Sequence, residues 1–183
     1  LPPSSGVSAG RDPNFKRIDA TGHGDVHALA RAFQRSAASP SVLVAEDDEG
    51  HAGLIRKNLA RAGIANQLLH FKDGQAIVDF LFRLGEGPHR QIGVPYVLLL
   101  DIRTPQLDGT AVLKGLKDDE ELREIPVIMI TTTDDPREVE KCHAIGCSNY
   151  ITKPVDYDAF VNAIRQLGLF LAVVQVPAVH GTH

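Results

Sequence analysis

Val97-Leu98-Leu99-Leu100-Asp101-Ile102-Arg103-Thr104-Pro105-Gln106-Leu107-Asp108-Gly109 is the stretch whose reading decides the fold. Four apolar residues run straight into a carboxylate, and a turn carrying Pro105 and then Asp108-Gly109 follows. An apolar run of this length suits a strand buried on both faces, as in a parallel sheet. Asp101 then stands where the strand leaves the core, at its carboxyl end. In open α/β sheets, ligands and chemistry gather at that edge.

Outward from this stretch the chain alternates strand and helix from residue 41 on. Val42-Leu43-Val44-Ala45 is a short apolar strand ending on Glu46-Asp47-Asp48. The helix after it carries Ala52, Ile55, Leu59 and Ala62 on one face and stops at Gly63. Residues 66–71 read as a second, weaker strand. Asp73 caps a helix whose apolar face is Ala76, Ile77, Phe80, Leu81 and Leu84. A loop over 85–94 leads to the strand ending at Asp101, and Val112, Leu113 and Leu116 mark the third helix. Val127-Ile128-Met129-Ile130 is a fourth strand, running into Thr131-Thr132-Thr133. Asp135-Pro136 is a cap followed by Pro at the first helical position, and that helix stops at Gly146. A fifth strand, 149–152, ends on Lys153-Pro154. Asp156 caps a last helix with Phe160, Ile164 and Leu167 inward and Gly168 after it. Five strand–helix units with short connections predict a five-stranded parallel α/β sheet of flavodoxin type, order 2-1-3-4-5, with helices on both faces.

The flanks differ from this core. Residues 1–40 are rich in Ser, Gly, Pro and Ala and read as a flexible extension; within them, 25–36 carry the pattern of a short helix (Asp25 as cap; Val26, Leu29, Ala30 and Phe33 apolar). Residues 41–168 form the domain, and 169–183 are an apolar tail. With 183 residues and 43% apolar content the chain can build one domain with a real core. A formal net charge of −4 argues against nucleic acid as a partner. No apolar run is long enough for a membrane span, and no basic-then-apolar leader opens the chain, so a cytoplasmic location is expected. Cys142 and Cys147 have neither redox-motif nor zinc-site spacing and read as reduced thiols. The eight histidines show no paired ligand spacing and read as surface or tail residues.

The strand ends deliver a constellation. Strand one supplies Glu46, Asp47 and Asp48, strand three Asp101, strand four Thr131, strand five Lys153. In the order 2-1-3-4-5 these four strands are neighbours, spaced roughly 4.8 Å apart. Carboxylates crowded at one edge repel, and a divalent cation removes the conflict; an all-oxygen set of this kind suits Mg²⁺. Lys153 adds a compact positive charge and Thr131 a hydroxyl donor. A carboxylate can act as nucleophile toward phosphorus, giving an aspartyl phosphate. Metal, ammonium and hydroxyl would then each take one phosphoryl oxygen.

These residues resemble the CheY-like response-regulator receiver domain over about 41–168. The motifs are Val-Leu-Val-Ala-Glu46-Asp47-Asp48; Leu-Leu-Leu-Asp101 with Pro105 and Asp108-Gly109; Pro126-Val-Ile-Met-Ile-Thr131; and Tyr150-Ile-Thr-Lys153-Pro154. The resemblance implies that Asp101 is the phosphoacceptor and that Asp47 ligates Mg²⁺ directly, with Glu46 acting through water and the Arg103 backbone carbonyl completing the set. It makes Thr131 the switch hydroxyl, Tyr150 the aromatic that rotates with it, and Lys153 the phosphate-binding lysine, followed by a cis bond to Pro154. The 83–95 segment, the run Ser148 through Val155 and the tail Leu167-Gly168-Leu169-Phe170-Leu171-Ala172-Val173-Val174 are similar to the single-domain regulators paired with phytochrome histidine kinases. That likeness implies a sensor histidine kinase, of bacteriophytochrome type, as partner. It also implies a homodimer through the fourth helix, fifth strand, fifth helix and tail, and an output by protein contact rather than DNA binding. The family's tail Trp is replaced by Leu171. Arg103 stands where Asn or Met is commoner, with its side chain over the site.

Two other classes share parts of the pattern. A haloacid-type, Mg-dependent phosphatase needs a second Asp two residues after the nucleophile, where this chain has Arg103. A nucleotide- or FMN-binding flavodoxin-like protein needs phosphate-cradling donors after strand one, where Glu46-Asp47-Asp48 would repel phosphate, and no glycine-rich phosphate loop is present.

Overall fold

The structure is a computed structural model that describes residues 40–154, 156–171, 176, 178 and 179. The helix expected over 25–36 lies outside the described residues. The elements are β1 (Ser41–Ala45), α1 (Glu49–Arg61), β2 (Leu68–Phe71), α2 (Gly74–Phe82), β3 (Tyr96–Leu100), α3 (Gly109–Asp118), β4 (Val127–Thr131), α4 (Pro136–Ile145), β5 (Asn149–Thr152) and α5 (Tyr157–Leu171). All strand pairs are parallel, in the order β2-β1-β3-β4-β5, as the apolar runs predict.

Alternation along the three central strands builds two cores, one on each face. Leu43, Ala45, Leu98, Leu100, Val127 and Met129 point toward α2, α3 and α4. Val42, Val44, Val97, Leu99, Ile128 and Ile130 point toward Ile55 and Leu59 of α1 and Phe160, Ile164 and Leu167 of α5. A strand buried on both faces needs an unbroken apolar run, which is what β1, β3 and β4 have. Each run ends on a polar residue, Glu46, Asp101 or Thr131, and because the strands are parallel these collect at one edge.

Two boundaries differ from expectation. β2 begins at Leu68 rather than 66; ahead of it the Asn66 side-chain amide donates to the Pro40 carbonyl at 2.7 Å and the Gln67 carbonyl accepts the Val42 N–H at 2.8 Å. α5 continues past Gly168 to Leu171. Gly168 is no stop signal: a Cβ on it would come within 2.6 Å of Ala62 Cβ, so the glycine lets α5 press against the end of α1. The described part of the tail packs on its own chain. Leu171 is buried in the α1–α5 core, the Gly93 N–H donates to the Val179 carbonyl at 2.8 Å, Pro95 and Ala178 form an antiparallel bridge, and Val179 is buried in the opposite core. Among the described residues no helix is long and apolar enough to cross a membrane.

Candidate functional site

The loops leaving β1 and β3 are shaped by caps and close contacts. After β1 the chain turns at Asp48, whose carboxylate accepts the His51 N–H at 2.8 Å and caps α1. That leaves Glu46 and Asp47 to face the site. After β3 the loop is held by Thr104, whose hydroxyl donates to the Leu107 carbonyl at 2.7 Å, and by Gln106 in the left-handed region at φ 65°. Gly109 closes the loop by donating its N–H to the Ile102 carbonyl at 2.9 Å. A Cβ there would fall 2.2 Å from the Asp101 carbonyl oxygen, so glycine is required by space.

Within this frame the expected acids converge. Single oxygens of Glu46, Asp47 and Asp101 lie within 4.8 Å of one another. Glu46 and Asp101 are buried and Asp47 is exposed. Lys153 Nζ, itself buried, donates to Glu46 Oε2 at 2.5 Å and to Asp101 Oδ2 at 2.6 Å. Burial pushes the Lys153 ammonium down, but its hydrogen bonds and attraction to Asp101 and Glu46 outweigh that and hold it above the ordinary lysine range. The other Asp101 oxygen, Oδ1, accepts the Arg103 N–H at 3.2 Å. Three carboxylates against one ammonium leave a formal charge of −2, which one divalent cation cancels. The donors are all oxygen, and one of the acids is open to solvent. These are the properties of a hard-cation site of the Mg²⁺ kind.

Thr131 and Tyr150 share this edge but touch none of the carboxylates by a hydrogen bond. Thr131 is fully buried, and its carbonyl accepts the Lys153 N–H at 2.6 Å, which anchors the lysine's backbone. The Tyr150 hydroxyl donates to the Thr133 carbonyl at 3.1 Å. The Lys153–Pro154 bond, expected to be cis, is trans, since no described peptide bond is cis. The trans preference of an X–Pro bond is only about 0.5–1 kcal/mol, so the dipeptide alone does not decide the isomer. Lys153 reaches both carboxylates in this form.

Three neighbours escape the sequence reading. His51, taken for a surface residue, has Nδ1 3.7 Å from Glu46 Oε1 and its ring 5.7 Å from that of Phe160. His70, on β2, donates from Nε2 to the Glu46 carbonyl at 2.6 Å. Glu138, on α4, approaches Arg103. Each contact is made across the tertiary fold, and nothing in the local spacing of these residues marks it.

Comparison with known proteins places the chain in a family. The family description "Response regulator receiver domain" matches residues 42–165. The polar-differentiation response regulator DivK of Brucella ovis is 34% identical over 125 residues, covering 68% of this chain and 93% of that protein. A response regulator receiver domain from Rhodospirillum rubrum has a crystal structure that superposes with a TM-score of 0.72 at 44% identity, covering 77% of this chain and 99% of that one. The bacteriophytochrome response regulator RtBRR superposes with a TM-score of 0.60 at 36% identity, covering 75% and 83%.

Proposed function

Because the chain belongs to the response-regulator receiver-domain family, we propose that Asp101 accepts a phosphoryl group from a sensor histidine kinase and that the change at the site is passed on through the protein surface. The observation that carries this reading is the meeting of Glu46, Asp47 and Asp101 within 4.8 Å, with the Lys153 ammonium bridging two of them.

In the reaction, an Asp101 carboxylate oxygen attacks the phosphorus of a phosphohistidine. The new O–P bond forms as the N–P bond breaks, and the imidazole leaves and takes up a proton. Lys153 already bonds the attacking carboxylate, and it can follow the charge onto a phosphoryl oxygen with little movement. The Thr131 hydroxyl supplies a second donor from β4. Glu46, Asp47, Asp101 and the Arg103 carbonyl would hold Mg²⁺, which when bound neutralises the acids and draws charge from a phosphoryl oxygen. Thr131 and Tyr150 then relay the change toward α4 and β5.

The likeness to a bacteriophytochrome response regulator supports a kinase of phytochrome type. A homodimer through α4, β5 and α5 fits the exposed Tyr157 and Leu169 on α5. The burial of Leu171 and Val179 supports assigning the tail to the monomer's own packing instead. The low net charge and the absence of a long apolar helix among the described residues accord with a cytoplasmic protein that does not bind DNA directly through this domain.

Beryllofluoride, a phosphoryl mimic, tests the site. With Mg²⁺, a bound-fluoride resonance is expected by fluorine NMR, lost in Asp101→Asn and without metal. Equal behaviour of wild type and Asp101→Asn overturns the assignment.

A further inference from the structure

The mechanism above uses the backbone of Arg103 but not its guanidinium. The Arg103 N–H is bonded to Asp101, so the side chain starts beside the phosphoacceptor. Yet its Nη2 lies 3.6 Å from Oε1 of Glu138, in the first turn of α4. The pair therefore ties the loop after β3 to α4. Glu138 is an uneasy partner: its second oxygen, Oε2, is buried with no hydrogen bond. Burial, then the Cys142 thiol, then the Glu138 charge push Tyr150 up to about 12. The same carboxylate thus faces Arg103 on one side and the Tyr150–Cys142 region on the other. Among the described residues, Arg103 is the one cation brought to it by an ion pair.

We propose that Arg103 and Glu138 form a latch that senses the state of Asp101, an inference that rests on reading Asp101 as the phosphoacceptor. With Asp101 free, the guanidinium engages Glu138 and holds the first turn of α4 against the site. A phosphoryl group on Asp101 presents three acceptor oxygens and more negative charge than a carboxylate. A guanidinium pairs with such a group in a two-pronged fashion, and this one is already tethered next to it. When Arg103 turns onto the phosphoryl group, Glu138 loses its cation while one of its oxygens already lacks a partner. A charge left so is driven toward water, and the first turn of α4 opens to let it out. No covalent bond changes in the exchange; one ion pair replaces another. The pair suits a switch because Arg103 is mostly exposed, and exposed pairs are weak enough to be undone. The turn that moves follows Thr133, whose carbonyl takes the Tyr150 hydroxyl, so the opening reaches the α4–β5 surface.

Hydrogen exchange of the 134–145 segment in the full chain, with and without beryllofluoride and Mg²⁺, tests the latch. Wild type should exchange faster there by about two- to five-fold when loaded, the range a surface ion pair sets. Glu138→Gln has neither the ion pair nor a charge to strand, so its exchange should not change on loading. Arg103→Ala should behave the same way, and Arg103→Lys should recover part of the response. If fluoride binds but Glu138→Gln keeps the wild-type response, the latch is wrong and the phosphoacceptor reading stands. If no fluoride binds, both fall.

Discussion

The Lys153 ammonium stands 2.6 Å from Asp101 Oδ2, joining the end of β5 to the end of β3 across the intervening β4. With Glu46 as its second partner at 2.5 Å, it is the cation that allows two buried acids to coexist. Removing it leaves both carboxylates without a counter-charge. Breaking a buried pair in this way costs about 3–5 kcal/mol. Lys153→Ala is therefore expected to unfold at clearly lower denaturant in metal-free buffer, and Mg²⁺ should restore part of the loss. An unchanged midpoint would show that the bridge carries no weight.

The formal charge of −2 at the acidic cluster predicts that Mg²⁺ binds there and stabilises the fold. At ten times its dissociation constant, a site of this kind contributes about 1.4 kcal/mol, or about 3–6 °C in melting temperature for a chain of this size. Asp47→Asn removes the solvent-exposed acid without disturbing the Lys153 bridge. Its melting curve should be nearly independent of Mg²⁺ while wild type shifts, as differential scanning calorimetry can read.

Stability should fall on the alkaline side. Burial, then the neighbouring Cys147, then Glu138 push the Cys142 thiol from 9.0 up to about 11, and Tyr150 is raised from 10.0 to about 12. Lys153 is also raised. A group whose pKa is raised by folding keeps its proton longer in the folded chain. Its contribution is complete below the unfolded pKa and is lost as pH climbs through the folded one. Denaturation midpoints should hold steady toward pH 9 and decline between about 9 and 12, and Cys142→Ala should flatten the lower part of that decline. A rise in stability across this window contradicts the assignment.

Leu171 gives the tail a measurable role within one chain. It is buried against the α1–α5 core, and truncating a buried leucine typically costs about 2–5 kcal/mol. Leu171→Ala should lose stability in that range while its mass by light scattering stays that of wild type. A changed mass with unchanged stability would assign the residue to an intermolecular contact.

The parts of the fold legible in the sequence are those with local causes. β1 and β3 are apolar runs ended by carboxylates and β4 is one ended by threonines, and Asp73 and Asp135 cap their helices as read, while Asp48 and Asp108, read as a site acid and a turn residue, are caps as well. The main site followed, because strand order plus strand ends places Glu46, Asp47, Asp101 and Lys153 together. What escaped depends on distant partners. Val179 meets the core beside a single antiparallel bridge between Ala178 and Pro95, too short to leave a pattern. Gly168 looks like a helix stop, and only the approach of Ala62 shows it as a packing position. His51 and His70 approach Glu46 from α1 and β2, and Arg103 meets Glu138 from a different loop. The isomer of the Lys153–Pro154 bond turns on a small energy difference that its two residues do not decide.

The central claim is that Asp101 is the group modified. Incubation of the full chain with acetyl phosphate and Mg²⁺, followed by borohydride reduction and peptide mass spectrometry, reads it directly. A gain of one phosphoryl group and conversion of residue 101 alone to homoserine are expected, with neither change in Asp101→Asn or without Mg²⁺. Reduction at another carboxylate, or equal labelling of Asp101→Asn, would contradict it.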